Sequence, residues 1–226
     1  MIFSLKEKPP DLNLIIGNSL IERTNVQKFL GIYIDDKINF GEHTKKLSAQ
    51  LARSVGVLRR MKLFLPQDVL KQLFYAFIYS KYTYGIVCYG STHQNKLQKV
   101  KNLINKAMKS VLNASSISAE LLKKEKILDF DLSYKYFSSI NMYKILCLNT
   151  HEYFANKIGT FQIDRTQVTR AATNQNLYFP NIRRFKYKRA FIYKGIQIWN
   201  TLPINIRNID NNCNSFKRSL KIHLLS

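Results

Sequence analysis

Residues 43–62 read HTKKLSAQLARSVGVLRRMK. Leu47, Leu51, Val55 and Leu58 recur at spacings of four and three, which gathers them on one face of an α-helix. Lys45, Lys46, Arg53, Arg59, Arg60 and Lys62 take much of the remaining surface. A helix with an apolar back and a cationic front packs into a bundle and turns its charge outward. Pro66 ends the pattern, and a second helix is predicted from about Gln67, with Val69, Leu70, Leu73, Phe74, Phe77 and Ile78 inward. Two glycines, Gly85 and Gly90, then interrupt. A third helix is predicted over 94–112, with Leu97, Val100, Leu103, Ile104, Ala107, Met108, Val111 and Leu112 on its apolar side. Lys96, Lys99, Lys101, Lys106 and Lys109 are interspersed. Three consecutive helices of this kind form a small bundle.

Upstream of the bundle the period shortens. Residues 12–21 read as a β-hairpin, two apolar runs flanking the turn dipeptide Gly17-Asn18. Residues 28–34 read as a third strand, apolar throughout with one glycine and therefore central in a sheet or close to another backbone. Downstream, helices are predicted over 118–128, capped by Ser118, and over 132–148. Residues 156–180 show no period and read as a loop or linker. Residues 181–200 interleave cations and rings: Arg183, Arg184, Phe185, Lys186, Tyr187, Lys188, Arg189, Phe191, Tyr193 and Trp199. A short C-terminal helix is predicted from Phe216, Leu220 and Leu224. The fold class is therefore mostly α: a helical bundle preceded by a short antiparallel β segment, with a helical C-terminal region. The segments run 1–40, 41–112, 113–155 and 156–226.

The chain has 226 residues, 46% of them hydrophobic, which suits a folded protein with a sizeable core. No run of about 18 apolar residues is present, so no membrane partner is expected. Lys6, Glu7, Lys8, Pro9 and Pro10 interrupt any signal-peptide pattern. Cys88, Cys147 and Cys213 lie too far apart for a disulfide framework or a zinc pair, so each reads as a small buried hydrophobe in a reducing compartment. The expected location is intracellular, nuclear or cytoplasmic.

The formal net charge is +22, and it is unevenly spread. Residues 1–40 are neutral. Residues 41–112 hold 13 basic and two acidic side chains, residues 113–150 five and four, and residues 151–226 thirteen and three. A charge this large implies a polyanionic partner, nucleic acid first and an anionic membrane surface second, and two separate basic blocks suit a long one. Cationic helix faces such as 44–62 and 95–109 can follow a phosphate backbone without reading bases. Interleaved rings and cations, as in 181–199, suit single strands, although each of those rings taken singly reads as core.

No catalytic set emerges. His43, His93, His151 and His223 have neither HExxH spacing nor a partner at ligand spacing, and read as surface or capping residues. Walker, GxSxG and GxGxxG patterns are absent. Tyr33-Ile34-Asp35-Asp36 matches the Y-x-D-D of reverse transcriptases, where paired carboxylates hold two metals. Here the acids upstream, Glu7, Asp11 and Glu22, do not follow an apolar strand as a third metal-binding carboxylate should. Asp35 and Asp36 therefore read as turn residues, solvated or capping the next helix.

Several elements in a fixed order carry a resemblance. They are Met1-Ile2-Phe3-Ser4, the hairpin, Val26 to Asp35 with its Phe29-Leu30-Gly31-Ile32-Tyr33-Ile34-Asp35 core, and His43 opening a basic helix. Leu73-Phe74-Tyr75-Ala76, Tyr84-Gly85 with Tyr89-Gly90, and Leu97 to Asn102 follow. Trp199-Asn200-Thr201-Leu202-Pro203 comes next, then Ile206-Arg207 and Phe216-Lys217. Together they resemble the C-terminal part of non-LTR (LINE-type, jockey-like) retrotransposon reverse transcriptases, over nearly the whole chain. In that family the Phe-Leu-Gly segment follows the catalytic hairpin, belongs to the last palm strands and leads into the thumb. The resemblance therefore implies a palm remnant (1–40), a thumb (41–112), a helical connection and a C-terminal region. It makes the Y-x-D-D match a coincidence and places fingers, catalytic palm and Mg2+ in a longer parent, with no cofactor in this chain. This chain has Tyr89 where the family usually has Trp, and it lacks the Cys-His knuckle of some relatives. Template–primer contacts are expected from Lys45, Lys46, Arg53, Arg59, Arg60, Lys62, Lys99 and Lys101. Further contacts are expected from Arg183, Arg184, Lys186, Lys188 and Arg189. The partner would be RNA–DNA hybrid, RNA or DNA. The alternative is a stand-alone or domesticated nucleic-acid-binding module.

Overall fold

The structure, a computed structural model, describes residues 1–3, 14–150, 152–154, 158, 176–178, 185–209 and 212–226. It is mostly helical, with two small antiparallel sheets ahead of the helices. The chain divides into two compact units: Met1–Gly85 with Thr92–Ala114, and Ile86–Ser91 with Ser115–Ser226.

The first unit opens on strands β1 (Ile15–Ile16) and β2 (Ser19–Leu20), paired across Gly17-Asn18 as the turn dipeptide demands. Residues 28–34 are not one central strand. They belong to a second hairpin, β3 (Val26–Phe29) and β4 (Ile32–Asp35), with Phe29 opposite Ile32. The reversal falls at Leu30-Gly31, both at positive φ (44° and 82°), the requirement of a two-residue primed turn. A bulky leucine rarely adopts such a φ. Here the Tyr84 hydroxyl donates to the Leu30 carbonyl at 2.7 Å and holds the turn. Gly85 (φ 62°) lies against the same hairpin, and a Cβ there would sit 2.3 Å from Ile32 Cδ1. β4 is half-buried and in contact with α1, whereas Phe29 is 62% exposed and Leu30, in the turn, 74%.

Helix α1 (Gly41–Met61) buries Leu47, Leu51, Val55 and Leu58, the face its sequence period marks. Helix α2 (Gln67–Phe74) continues through a π-helical turn (Tyr75–Tyr79) into α3 (Ser80–Thr83). Phe74, Ile78 and Tyr82 are fully buried along this run. Phe77, predicted inward, is 48% exposed. The physical reason is the wider i→i+5 turn, in which a spacing of four stays on the buried line and a spacing of three rotates off it. After α4 (Ile86–Tyr89), which belongs to the second unit, α5 (Gln94–Leu112) closes the bundle. Lys96 packs on Gly41 at one end of the α1–α5 pair, and Lys62 Nζ donates to Asn113 Oδ1 (2.8 Å) at the other. The two helices therefore run parallel and pack directly on each other, with the α2–α3 run packed alongside.

In the second unit α6 (Ala119–Glu125) is capped as predicted, the Ser118 hydroxyl accepting from the Leu121 N–H at 3.2 Å. Helix α7 (Phe130–Leu146) starts at an Asp129 cap and packs against α8 (Phe191–Thr201) and α10 (Cys213–Leu225). A 3-10 turn (Phe185–Arg189) precedes α8, and α9 (Ile204–Arg207) follows it. Gly195 lets α8 close on α7, since a Cβ there would lie 2.6 Å from Met142 Sδ. Phe216 stacks on Tyr143, with ring centres 4.2 Å apart, and on Trp199 at 5.9 Å. Around it lie Ile140, Ile145, Ile196, Leu202 and Leu220.

The Trp-Asn-x-Leu-Pro element thereby has a structural account. Trp199 and Leu202 fill the core, and Pro203 starts α9. The Asn200 amide clasps the Leu177 backbone through two 2.9 Å hydrogen bonds, mimicking a strand neighbour. The cysteines depart from expectation: Cys88 and Cys147 are exposed, and Cys213 is half-buried at the start of α10, packed against the core. His43 departs too, being buried on the inner face of α1 rather than at the surface. His151 lies outside the described residues, as does nearly all of the aperiodic stretch 156–180. Among the described residues no helix is long and apolar enough to cross a membrane.

Candidate nucleic-acid interface

Burial of the Leu47–Leu58 face decides which cations α1 presents. Lys46, Arg53 and Arg60 recur every seven residues, two turns apart, and all three are exposed. They form a stripe along the outer face with a step of roughly 10 Å. Lys45 and Arg59 are exposed on the adjoining row. The stripe's one acid is Glu42, 3.9 Å from Lys46 across a solvent-facing pair that contributes little stability. Lys46 Nζ also lies 4.2 Å from the centre of the Tyr33 ring, which fixes the start of the stripe against β4. Burial holds the His43 imidazole below its ordinary pKa, so it adds no charge to α1 at neutral pH.

Helix α5 carries a second outer row. Lys99 and Lys106 are seven residues apart and exposed, and Lys109 lies on the same side. Lys101 points elsewhere: it is half-buried and donates to Gln94 Oε1 at 2.9 Å. Lys62 is exposed but spends its ammonium on Asn113. Lys106 and Lys109, which are outside the expected contact set, are exposed beside Lys99 where Lys101 is half-buried. The seven-residue step from Lys99 to Lys106 is the signal that separates them.

The second basic block lies in the other unit. Arg183 and Arg184 fall outside the described residues, as does the Lys186 side chain. Lys188 and Tyr187 are exposed on the 3-10 turn. Arg189 turns inward, with Nε and Nη1 buried, while its carbonyl accepts from the Ser91 hydroxyl at 2.7 Å. Trp199 is core. Of the interleaved stretch, Tyr187 and Lys188 thus remain as a described outward pair.

Asp35 behaves as a turn residue. Its Oδ1 accepts the Asn39 N–H at 2.7 Å and its Oδ2 the Gly41 N–H at 3.2 Å. It thereby satisfies the first turn of α1 across a bend in which Ile38 and Phe40 both have positive φ. Asp35→Ala should lower the thermal stability of the protein by about 2 kcal/mol, measured by calorimetry, since two charge-assisted bonds to backbone N–H groups are lost. A change below about 0.5 kcal/mol would mean that the bend needs no anchor. Among the described residues no three His, Cys, Asp or Glu side chains come together as a metal site.

Comparison of the sequence and the structure with known protein families, curated proteins and solved structures finds no match.

Proposed function

We propose that this chain is the nucleic-acid grip of a retroelement reverse transcriptase: the end of the palm, the thumb and the C-terminal region. The observation that carries the reading is a pair of outward cationic rows, one on α1 and one on α5. Lys46, Arg53 and Arg60 step along one helix, Lys99 and Lys106 along the other, and one acid accompanies them. Such rows follow phosphates and are indifferent to base sequence.

The parentage rests on the motifs quoted above, from Phe29-Leu30-Gly31 to Trp199-Asn200-Thr201-Leu202-Pro203. It gains support from the exposed apolar side chains of the β segment. Leu14, Ile15, Ile16, Leu20, Phe29 and Leu30 are all more than half exposed on two separate two-stranded sheets. A surface of that kind belongs against further protein, as the last strands of a palm would be. A stand-alone nucleic-acid-binding module would use the same cations without that partner.

A salt titration tests the grip. Fluorescence anisotropy with a labelled RNA–DNA hybrid should give an affinity that falls steeply between 50 and 200 mM salt, by roughly a thousandfold if six or more phosphates are neutralised. A flat dependence overturns the reading. Metal-dependent primer extension by this chain, abolished in Asp35→Ala, would overturn it differently and restore Tyr33 to Asp36 as a catalytic hairpin.

A further inference from the structure

A groove of about 450 Å³ lies in the first unit between α1 and the π-helical run, within the size range of ligand clefts. Gln50, Arg53, Ser54, Val57, Phe77 and Lys81 line it, and none is acidic. Lys81 Nζ donates to Ser54 Oγ at 2.7 Å, so one cation is fixed at the wall next to α1. Arg53 belongs to the outward stripe. Phe77 is turned out by the π-helical turn, and its exposed ring lines the groove.

That turn is itself braced. Tyr75 and Tyr79 meet edge to face at 5.2 Å, and Tyr79 and Tyr82 at 5.3 Å. Such turns in an α-helix recur at functional sites. An exposed apolar ring in a groove that also holds two cations has a chemical counterpart in an unpaired nucleotide, whose base stacks while its phosphate meets a cation.

Building on the grip proposed above, we propose that this groove takes one unpaired nucleotide of a bound strand. The base stacks on Phe77, its edge reaches the Gln50 amide and its phosphate meets Arg53. Stacking is tolerant of sequence, since every base has a π-face, so the slot holds a strand end or a flipped nucleotide without selecting it. The role is one that a cationic stripe alone lacks: it distinguishes a strand with bases from bare negative charge.

The test compares a 12-nucleotide poly(dT), the same strand with abasic sites throughout, and poly-Glu as a competitor, all against the full chain. Phe77→Ala removes a half-exposed ring and should fold normally, which circular dichroism checks. It should weaken poly(dT) binding about ten- to a hundredfold with an unchanged salt slope. The abasic strand should bind wild type and Phe77→Ala alike. Phe77→Trp should retain affinity, and its fluorescence should be quenched by poly(dT). Equal loss of both strands in Phe77→Ala, no loss of either, or poly-Glu competing as well as poly(dT) would overturn the slot. If poly(dT) and hybrid bind with a steep salt dependence but Phe77→Ala is silent, the slot alone fails. If neither binds at low salt, the grip fails with it.

Discussion

Replacing Lys46, Arg53 and Arg60 together by glutamine should weaken binding of an RNA–DNA hybrid about a hundredfold at 100 mM salt and reduce the salt slope by about two to three. The three positions share one stripe, so each substitution removes one phosphate contact from the same track. All three are exposed, and glutamine is a good helix former, so the melting temperature should move by no more than a few degrees. The control is Lys124→Gln with Lys135→Gln, two exposed lysines of the other unit, which should cost far less. Equal effects from stripe and control would mean that binding answers to net charge and not to the stripe. An unchanged slope in the stripe variant would remove α1 from the interface.

The largest effect on stability is expected from Phe216→Ala. Its ring is fully buried, sandwiched between Tyr143 and Trp199. Truncation removes the ring's burial and leaves a cavity where α7, α8 and α10 meet, at a cost of about 3–5 kcal/mol. For a unit of this size that is a fall of roughly 10–20 °C in melting temperature. Trp199 is the single tryptophan and lies in this core, so its emission reports the second unit alone. Phe216→Leu should recover part of the loss by refilling the space. A shift under about 1 kcal/mol for the alanine variant would mean that the stack is not central to the core.

These two outcomes separate what the two ends of the motif series do. In the proposed grip the cations of α1 carry binding and little stability. The aromatic and Trp-Asn-x-Leu-Pro positions carry stability, because Trp199, Leu202 and Asn200 are spent on packing and on the Leu177 backbone. The described rings and cations between 187 and 199 divide between core and surface. Trp199 is core and Arg189 is turned inward, leaving Tyr187 and Lys188 as described outward groups.

Reading the sequence by itself was enough to locate the elements whose periodicity is strong. Leu47, Leu51, Val55 and Leu58 mark the buried face of α1, and Leu97, Val100, Ile104 and Val111 that of α5. Gly17-Asn18 and Ser118 mark a turn and a cap by local chemistry that needs no distant partner. The charge count and its two blocks are fixed by composition. Tertiary structure decided the rest, because each remaining choice depends on a residue far along the chain. Leu30-Gly31 reverses the strand against its own preference because Tyr84 and Gly85 hold it there. Phe77 leaves the core because a π-helical turn shifts the face by part of a turn, which an ideal 3.6 period cannot anticipate. Lys101 and Lys106 look alike in sequence, but the buried line of α5 half-buries one and exposes the other. Periodicity tells which side of a helix is apolar; only the packed bundle fixes which cations remain free to meet a phosphate.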